Sequence, residues 1–423
     1  TSTPSIYNDV NFSEKLKAAM AGAGQKNFIV LVGTHVSALP EESLRLSSSV
    51  DAVAQGEYDA TVRELADALE AGREPETVAG LWLHKGEGDK KIIHTGERAA
   101  FVDIDQIPFV SSVYKRFLDP HHYFNPNALF PMVTITTSRG CPHRCFFCVY
   151  PQTMMGHRLR NRSVENVVDE VEYIIAHFPE VKAIFFEDDT FPANKQRCIA
   201  ICEEIIRRDI RISWTANARV DLDRETMRIM KKAGCRCLCV GFESGNQQLL
   251  DRMKKGITLE QSRTFMEAAR KTGILIHGCF MVGLPGETRE TMQETLDLAI
   301  SLQPDAIQMY PVMVYPGTEA YDWYREKGLI TSNDFSRWLT PSGLHNTVIQ
   351  GENLSADELV GFCDEARKKF YLRPGYILYK LVQMLRHPAE IRRTLKSGRT
   401  FAKYLFFGSD VQKESVKPVR QNT

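Results

Sequence analysis

Three cysteines, Cys141, Cys145 and Cys148, lie close together at the spacing C-x3-C-x2-C. The β-branched run 133–137 in front of them predicts a strand, and the Ser-Arg-Gly sequence at 138–140 predicts the end of that strand. The three thiols should therefore share one compact loop at the carboxyl end of a strand. In a barrel of parallel strands, that end carries the chemistry.

The number of thiols limits what this loop can bind. A single disulfide uses two thiols and leaves one over. A structural zinc ion needs four ligands, so His143 or His157 would have to complete the set. A [4Fe–4S] cluster held by three cysteines would leave one iron open to a substrate or cofactor. The spacing, the preceding strand and the aromatic Phe147 before the last cysteine favour the cluster, with a zinc knuckle as the alternative.

The composition is that of an ordinary globular protein, with 43% hydrophobic and 25% charged residues. A formal net charge of zero offers no sign of a nucleic-acid partner, and none is expected. The sequence has no uninterrupted apolar run of about 18 residues and no secretory signal. Ten cysteines are too few for a disulfide scaffold in a chain of 423 residues. We therefore expect a reducing, cytoplasmic setting and, because the chain begins at Thr1, a processed or truncated form.

An N-terminal α/β region, expected to span residues 1–105, precedes the cysteine loop. The apolar run 28–33 predicts a buried parallel strand, and residues 60–71 have the pattern of an amphipathic helix. Alternating strands and helices of this kind predict a partial doubly wound α/β sheet. A short hairpin is expected within residues 80–105. Residues 106–130 are expected to be a connector without helix or strand from 114 onwards, because Pro, Asn, His and aromatic residues are frequent there.

The region expected to form the core, residues 131–330, repeats a strand followed by a helix. Strands are predicted at 133–137, 181–186, 212–216, 235–242, 274–282 and 306–314, with helices at 164–178, 198–208, 224–233, 259–272 and 288–302. Six strands separated by helices predict a partial (β/α)6 barrel.

Polar side chains follow the second and third of these strands, where a parallel barrel places its active site. Glu187, Asp188 and Asp189 follow the second strand. Adjacent carboxylates are costly to bury unless they bind a cation, face solvent or cap a helix. Asn217 and Arg219 follow the third strand, and an arginine there can bind a carboxylate through a bidentate fork.

Further candidates follow the later strands. Glu243 and Ser244 come after the fourth strand, and Gly283-Leu284-Pro285-Gly286-Glu287 comes after the fifth. Three more residues are candidate acids or bases by position alone: His277, Tyr310 and Tyr315.

The pattern C-x3-C-x-aromatic-C after a strand resembles the radical S-adenosylmethionine (SAM) superfamily, and the strand-end motifs follow in that family's order. The resemblance implies a [4Fe–4S] cluster on Cys141, Cys145 and Cys148, with Phe147 beside it. It further implies that the open iron chelates the amino and carboxylate groups of SAM. Reductive cleavage then yields a 5′-deoxyadenosyl radical that abstracts hydrogen from the substrate.

The resemblance also implies which strand-end residues contact SAM. Glu187 or Asp188 would hold the amino group, and Arg219, with Asn217 beside it, would hold the carboxylate. Glu243 would accept hydrogen bonds from the ribose. Three further residues would lie close to the nucleoside: Ser244 near the ribose, and Gly283 and Pro285 in the loop that packs on adenine.

The N-terminal region resembles the second half of the cobalamin-binding domain that precedes many radical SAM barrels. The shared order is an apolar strand, Gly33 and His35, a second strand, Gly56 and Glu57, and a helix. The first half of that domain and the pattern Asp-x-His-x-x-Gly are absent from the sequence. Cobalamin is thus a candidate third cofactor, and His35 either lines its pocket or is a polar residue at a strand end.

The wider resemblance is to cobalamin-class methyltransferases and the anaerobic magnesium-protoporphyrin ester cyclase. Residues 151–162 and 373–376 resemble the hopanoid-associated lipid-tailoring members. This implies attack on an unactivated carbon of a lipid-like (hopanoid or isoprenoid) substrate, for methylation, cyclisation or C–C bond formation. A reductant such as flavodoxin or ferredoxin would supply the electron.

Two other functions remain open on the sequence. A tRNA methylthiotransferase shares such a core, although the absence of any cysteine before Cys141 argues against it. A non-catalytic protein could instead bind zinc at the three cysteines. Cys235, Cys237 and Cys239 alternate on a predicted strand and could hold a second cluster, but such cysteines are more often small buried apolar residues.

The C-terminal region, residues 331–423, is expected to be helical, with a helix at 356–370. From residue 373 to the end, eleven Lys or Arg stand against three Asp or Glu, with apolar residues between them. A basic amphipathic segment predicts contact with a membrane surface, here as a peripheral contact on the inner face. The alternative is a helix that packs on the barrel and keeps a solvated basic face.

Overall fold

The computed structural model describes residues 1–85, 91–101, 103–339 and 347–386, together with the isolated residues 391, 398 and 402. Two larger β-sheets organise this part of the chain. A four-stranded sheet lies in the N-terminal region, and a six-stranded sheet forms the core.

The N-terminal sheet combines a parallel pair with a hairpin. Its strands, in spatial order, are β1 Val30–Val32, β2 Ala52–Ala54, β3 Leu81–Lys85 and β4 Lys91–His94. β1 and β2 are parallel, whereas β3 pairs antiparallel with both β2 and β4. The predicted parallel strand and the predicted hairpin are therefore confirmed, and they belong to one mixed sheet.

Four helices accompany this sheet: α1 Ile6–Gly22, α2 Thr34–Ala38, α3 Pro40–Arg45 and α4 Asp59–Glu70. The predicted amphipathic helix is α4, which buries Thr61, Leu65 and Ala68 along one face. Leu65 and Ala68 pack in the same apolar cluster as β2 and β3. Helical spacing of apolar residues thus explains how α4 covers the sheet.

The connector between the two sheets differs from the prediction, because residues 114–117 belong to a helix, α5 Val110–Phe117. Its Ser111 backbone amide and hydroxyl both donate to the buried Glu170 carboxylate, at 3.1 and 2.8 Å. The Lys115 ammonium lies 5.0 Å from the centre of the Phe178 ring. A short helix is marginal alone, so these tertiary contacts, which local composition does not reveal, decide its conformation.

The six-stranded sheet is the predicted (β/α)6 barrel. After β5 Met132–Ile135, a short antiparallel pair, β6 Ser138–Arg139 and β7 Arg160–Asn161, flanks the cysteine loop. The remaining strands are β8 Ala183–Phe186, β9 Ser213–Ala218, β10 Cys235–Glu243, β11 Leu275–Val282 and β12 Ala306–Pro311. Each of the six strands pairs in parallel with its neighbour in chain order.

Helices follow the barrel strands as predicted. They are α6 Val164–His177, α7 Lys195–Arg207, α8 Arg224–Lys232, α9 Gln247–Arg252, α10 Leu259–Thr272 and α11 Arg289–Leu302. Ser163 caps α6 by accepting a hydrogen bond from the Asn166 amide. On β9, the large apolar core contains Trp214, Ala216 and Ala218. The residues between them therefore face the barrel interior, because side chains alternate along a strand.

The connector closes the amino-terminal end of the barrel. The Asn127 carbonyl accepts hydrogen bonds from the Thr215 hydroxyl at 2.9 Å and from Arg236 Nη1 at 3.0 Å. A small apolar cluster fills the space beside them: Ala128, Met132, Ala183 and Phe185. Polar groups at this end are thereby paired with the backbone of the same chain.

Three further helices are α12 Glu319–Glu326, α13 Ala356–Tyr371 and α14 Pro374–Arg386. α13 is the predicted helix of the C-terminal region, and the Tyr371 hydroxyl donates to the Ile307 carbonyl of β12 at 2.6 Å. α14 leaves Leu378 63% and Leu385 82% exposed. Most of the predicted basic tail lies outside the described residues. Within the described residues, no helix has the length and apolarity needed to cross a membrane.

Candidate active site

The cysteine loop is held by backbone contacts on both sides. The Cys141 amide donates to the Gly156 carbonyl at 3.2 Å, which follows the π-helical turn Pro151–Met155. The Gln152 side-chain amide donates to three carbonyls of the loop, those of Cys145, Phe146 and Cys148, at 2.9 to 3.2 Å. Hydrogen bonds from the protein itself therefore support the loop, and the sequence analysis missed Gln152 as one of their donors.

Gly140 enters the loop with a positive φ of 84°. A Cβ atom there would collide with the backbone carbonyl of Arg158, so glycine is required by both conformation and space. His157 Nδ1 lies 3.2 and 3.0 Å from the carbonyls of Cys141 and His143. That nitrogen is thus engaged with the backbone. Among the described residues, no three His, Cys, Asp or Glu side chains are grouped around the position of a single metal ion.

All three thiols are free, with Cys141 buried and Cys145 and Cys148 half-buried. Burial, followed by the charge of the nearby Asp189, raises the pKa of the Cys148 thiol to about 12. Burial also raises the pKa of Cys141. The Cys141 and Cys148 thiols are therefore protonated at neutral pH, and binding of a metal centre to them would be coupled to loss of their protons.

The three acidic residues after β8 have different surroundings. Asp188 is fully buried and accepts hydrogen bonds from the Thr137 amide, the Thr137 hydroxyl and the Ser138 hydroxyl at 2.5, 2.6 and 2.7 Å. Burial raises the pKa of Asp188, and these donors partly offset it. Glu187 is exposed. These hydrogen bonds of Asp188 therefore join the end of β8 to the segment before the cysteines.

Among the three acidic residues after β8, Asp189 is the one whose charge acts on the thiols of the cysteine loop. Its charge raises the pKa of both Cys141 and Cys148. The next residue, Thr190, has its hydroxyl 3.9 Å from the Cys141 sulfur. Burial, followed by the charge of Asp188, raises the pKa of Asp189 to about 6. Its carboxylate is thus partly desolvated, and its charge acts on two thiols of the cysteine loop.

Arg219 and Asn217 extend from the end of β9 as predicted. Arg219 is buried, and its Nη1 lies 3.8 Å from the Cys145 sulfur. Its Nη2 donates to the Lys255 carbonyl at 2.5 Å. The Asn217 amide donates to the Asp188 carbonyl at 3.0 Å. Arg219 therefore reaches the cysteine loop, whereas Asn217 supports the acidic turn.

Glu243, at the end of β10, forms a buried ion pair that the sequence analysis missed. Its Oε1 accepts from Lys255 Nζ at 2.7 Å, while its Oε2 is buried with no hydrogen-bond partner among the described residues. Burial lowers the pKa of Lys255, but the charges of Glu243 and Cys145 outweigh it, so the pKa is raised overall. The Lys255 ammonium also lies 5.9 Å from the centre of the Phe147 ring.

Ser244 and the loop after β11 mainly make contacts within the protein. The Ser244 hydroxyl lies 3.3 Å from that of Thr295 on α11. The Gly283 carbonyl accepts a hydrogen bond from the Tyr324 hydroxyl. Pro285 lines an open cleft of about 520 Å³ beside Phe146. Their predicted contacts with SAM stay predictions.

His35 is buried between the N-terminal segment and the turn that contains Phe335. Its Nδ1 lies 3.1 Å from the Thr3 hydroxyl, and its ring meets the edge of Phe335 at 4.8 Å. Burial lowers the pKa of His35 to about 4. These contacts are those of a buried, neutral histidine on α2, and its predicted contact with cobalamin stays a prediction.

The other cysteines are divided between two environments. Cys198, Cys202 and Cys235 are buried in the large apolar core. Cys239 instead contacts the small cluster at the barrel's amino-terminal end, and the strand register shifts between Cys235 and Cys237. The bulge interrupts the simple alternation on which the second-cluster hypothesis depended.

Comparison with known proteins shows the family of this chain. The radical SAM superfamily matches residues 135–299. An uncharacterised methyltransferase of Pyrococcus horikoshii is 33% identical over 371 residues, which cover 87% of this chain and 77% of that protein. The chain belongs to the radical SAM superfamily. It is thus a radical SAM enzyme, and the cofactors of that class are a [4Fe–4S] cluster and SAM.

Two other relatives cover this chain to different extents. An anaerobic magnesium-protoporphyrin IX monomethyl ester cyclase of Rubrivivax gelatinosus is 24% identical over 89% of this chain and 66% of its own length. A hopanoid C-3 methylase of Methylococcus capsulatus is 26% identical over 59% of this chain and 51% of its own. The chain thus spans from half to two thirds of these relatives.

Two solved structures share the fold. The cobalamin-dependent SAM radical enzyme OxsB, with aqua-cobalamin and SAM bound, aligns with a TM-score of 0.66 at 17% identity, over 93% of this chain and 62% of its own. The radical SAM methyltransferase TsrM from Kitasatospora setae, with cobalamin and a [4Fe–4S] cluster bound, aligns at 0.61 and 20% identity, over 76% and 62%. The predicted α/β fold class is confirmed.

Proposed function

We propose that Cys141, Cys145 and Cys148 hold the [4Fe–4S] cluster and that the polar groups around them hold SAM. One observation supports this most: a three-thiol loop, a buried arginine and a buried ion pair with an unpaired carboxylate oxygen meet at one end of the barrel. Three thiolates suit a cluster with one open iron. When bound, the cluster and SAM supply the reductive cleavage that generates a 5′-deoxyadenosyl radical.

Asp189 is the carboxylate that we assign to the amino group of SAM, in place of Glu187 or Asp188. Its raised pKa reports a carboxylate without a cationic partner, and an ammonium group beside it would favour the ionised form. Asp188 is already occupied by three donors of the segment before the cysteines. We therefore give Asp188 a positioning role behind Asp189.

Arg219 and Lys255 are the cations that we assign to the SAM carboxylate. Both are buried beside Cys145, where a carboxylate would meet two positive charges in a poorly solvated site. The unpaired Oε2 of Glu243 would accept a hydrogen bond from a ribose hydroxyl. The ribose contact would pair Glu243 Oε2, a buried oxygen without a hydrogen-bond partner among the described residues.

The reaction that we propose is methylation or cyclisation at an unactivated carbon of a lipid-like, ring-bearing substrate. The names of the relatives support this class, since they include a hopanoid methylase and a protoporphyrin ester cyclase. Tyr310, on β12, is a candidate proton donor in the barrel. Burial raises the pKa of Tyr310 well above its usual range, so its hydroxyl keeps its proton at neutral pH.

We propose cobalamin as the methyl carrier if the product is methylated. Two solved structures of this fold are described with cobalamin bound. In this chain the N-terminal sheet contributes a single parallel pair, β1 and β2. A small-molecule reductant or a protein such as flavodoxin or ferredoxin would supply the electron. The exposed apolar residues of α14 support a peripheral contact with a lipid surface.

Anaerobic reconstitution with iron and sulfide tests the proposal. We expect a brown protein that forms 5′-deoxyadenosine from SAM and dithionite. D189N should weaken SAM binding about tenfold or more, because it removes one charge-assisted contact. The matched variant D188N should mainly lower the free energy of unfolding. A colourless zinc protein without product would refute the proposal, and lipid extracts that stay unmodified would refute the substrate class alone.

A further inference from the structure

We propose that Glu57 is a positioning residue, through which the N-terminal sheet sets the shape of the cysteine loop. The inference rests on the proposed function, because it concerns how that loop is held for a cluster. Glu57 follows β2, in a part of the chain that lies far in sequence from the cysteines. It contacts neither the thiols nor the groups that we assign to SAM.

The Glu57 carboxylate bridges two arginines. Its Oε1 accepts from Arg139 Nη1, and its Oε2 accepts from Arg160 Nη1 at 2.5 Å. The Glu57 side chain is 3% exposed, and that of Arg160 is 5% exposed. Asp59 adds a second acceptor for Arg139, at 2.7 and 3.1 Å. The charge of Glu57 thus compensates two guanidinium groups in a site with little water.

Both arginines are part of the frame around the cysteines. Arg139 and Arg160 lie opposite each other in the β6–β7 pair, and Arg139 is followed by Gly140 and Cys141. Arg160 Nη2 donates to the Met155 carbonyl at 3.0 Å. The next residue, Gly156, supplies the carbonyl that receives the Cys141 amide. The Glu57 carboxylate is therefore linked to Cys141 by one contact and the chain through Arg139, and by three contacts through Arg160, Met155 and Gly156.

The geometry leaves the loop little freedom to adjust if this bridge is lost. A Cβ atom on Gly140 would collide with the carbonyl oxygen of Arg158, two residues before β7, so we expect a shift of β7 to move the loop with it. A buried arginine that loses its carboxylate is expected to move towards water or draw water in, because an unpaired buried charge is costly. The β6–β7 pair, and with it Cys141, would then lose its defined position.

The test compares E57Q with D51N in the full chain. Asp51 is a matched control, because its carboxylate also joins a cation and a backbone amide, Lys17 at 2.5 Å and Ile29 at 2.7 Å, within the N-terminal region. In the metal-free proteins, hydrogen exchange should become faster over residues 138–161 in E57Q and stay at the wild-type rate in D51N.

After reconstitution, E57Q should need about tenfold more SAM for half-maximal cleavage, as is usual when a supporting partner of a metal ligand is lost. Its reduced cluster should show an altered electron paramagnetic resonance signal with SAM, unlike D51N. The inference would be overturned if E57Q showed the hydrogen exchange, the SAM requirement and the electron paramagnetic resonance signal of the wild type. Equal changes in E57Q and D51N would also overturn it. If E57Q does not fold, E57D decides, because its shorter side chain keeps the charge but withdraws the carboxylate from the two arginines. A folded E57D with wild-type exchange over 138–161 also overturns the inference. Failure of the proposed function itself would appear separately, as no SAM cleavage by the wild-type protein.

Discussion

The two ends of the barrel treat polar groups in opposite ways. At the amino-terminal end, the Asn127 carbonyl pairs with Thr215 and Arg236, and apolar side chains fill the remaining space. At the carboxyl end, Glu243 keeps one buried oxygen unpaired and Asp189 is partly desolvated beside three thiols. A buried polar group with a hydrogen-bond partner stabilises a fold. One without a partner costs stability but can bind a ligand. The unpaired groups are the reason why we propose the carboxyl end of the barrel as the binding site.

The largest difference between the two ends should appear on removing a thiol. C145A should abolish cluster assembly and SAM cleavage, because an alanine cannot ligate iron. Cys235, buried at the amino-terminal start of β10, is the matched control. C235A should keep both properties and lose only about 1 kcal/mol of stability from packing. Iron content and 5′-deoxyadenosine yield measure the contrast, and loss of the cluster in C235A would contradict it.

Breaking the buried ion pair should have the next largest effect. K255M should lower the free energy of unfolding of the metal-free protein by about 3–5 kcal/mol, because it leaves Glu243 charged and unpaired. Urea denaturation measures this change. The double variant E243Q/K255M should recover much of the loss, since no buried charge remains. A K255M protein as stable as the wild type would show that Glu243 is not desolvated.

Glu287, in the loop after β11, should make stability depend on pH at the carboxyl end. Burial raises the pKa of its carboxyl to about 7 in the folded protein. Glu287 therefore contributes fully to stability at a pH below its pKa in the unfolded chain. This contribution is lost as the pH rises through its pKa in the folded protein. The loss should approach about 3 kcal/mol between pH 4.5 and pH 8. E287Q should remove this dependence in urea midpoints.

The Gln side chain can keep the local contacts of Glu287, since the Thr291 hydroxyl has a second acceptor in the Thr288 carbonyl at 3.1 Å. T215V is the control without a titratable group and should parallel the wild type at every pH. A difference between E287Q and wild type that stays constant from pH 5 to pH 8 would contradict the assignment.

The smallest effect should come from the amino-terminal end. T215V removes one hydrogen bond to the Asn127 carbonyl and should cost about 1 kcal/mol. Cluster content and the SAM requirement should stay at wild-type values, because Thr215 lies at the opposite end from the thiols. A change in SAM requirement would show that the two ends are coupled.

Repetition and spacing made much of the fold predictable. The order of the barrel strands, the helices after them and the cysteine loop follow from apolar periodicity and from residues that act over short distances. Helix α5 was missed because its stability depends on Glu170, more than fifty residues away. The three adjacent acids could not be ranked, since their roles depend on whether Thr137 and Ser138 reach them.

The sequence by itself determined the chemistry available at the site: three thiols on a loop after a strand, and acids and an arginine after later strands. Only the tertiary structure decided which of these groups meet. It brought Lys255 to Glu243 and gave Asp188 its three donors, which is why we propose Asp189 as the carboxylate that binds a ligand. It also joined Glu57 to Arg139 and Arg160. The physical reason is that a charge is buried or paired only relative to distant neighbours, and strand spacing does not record them.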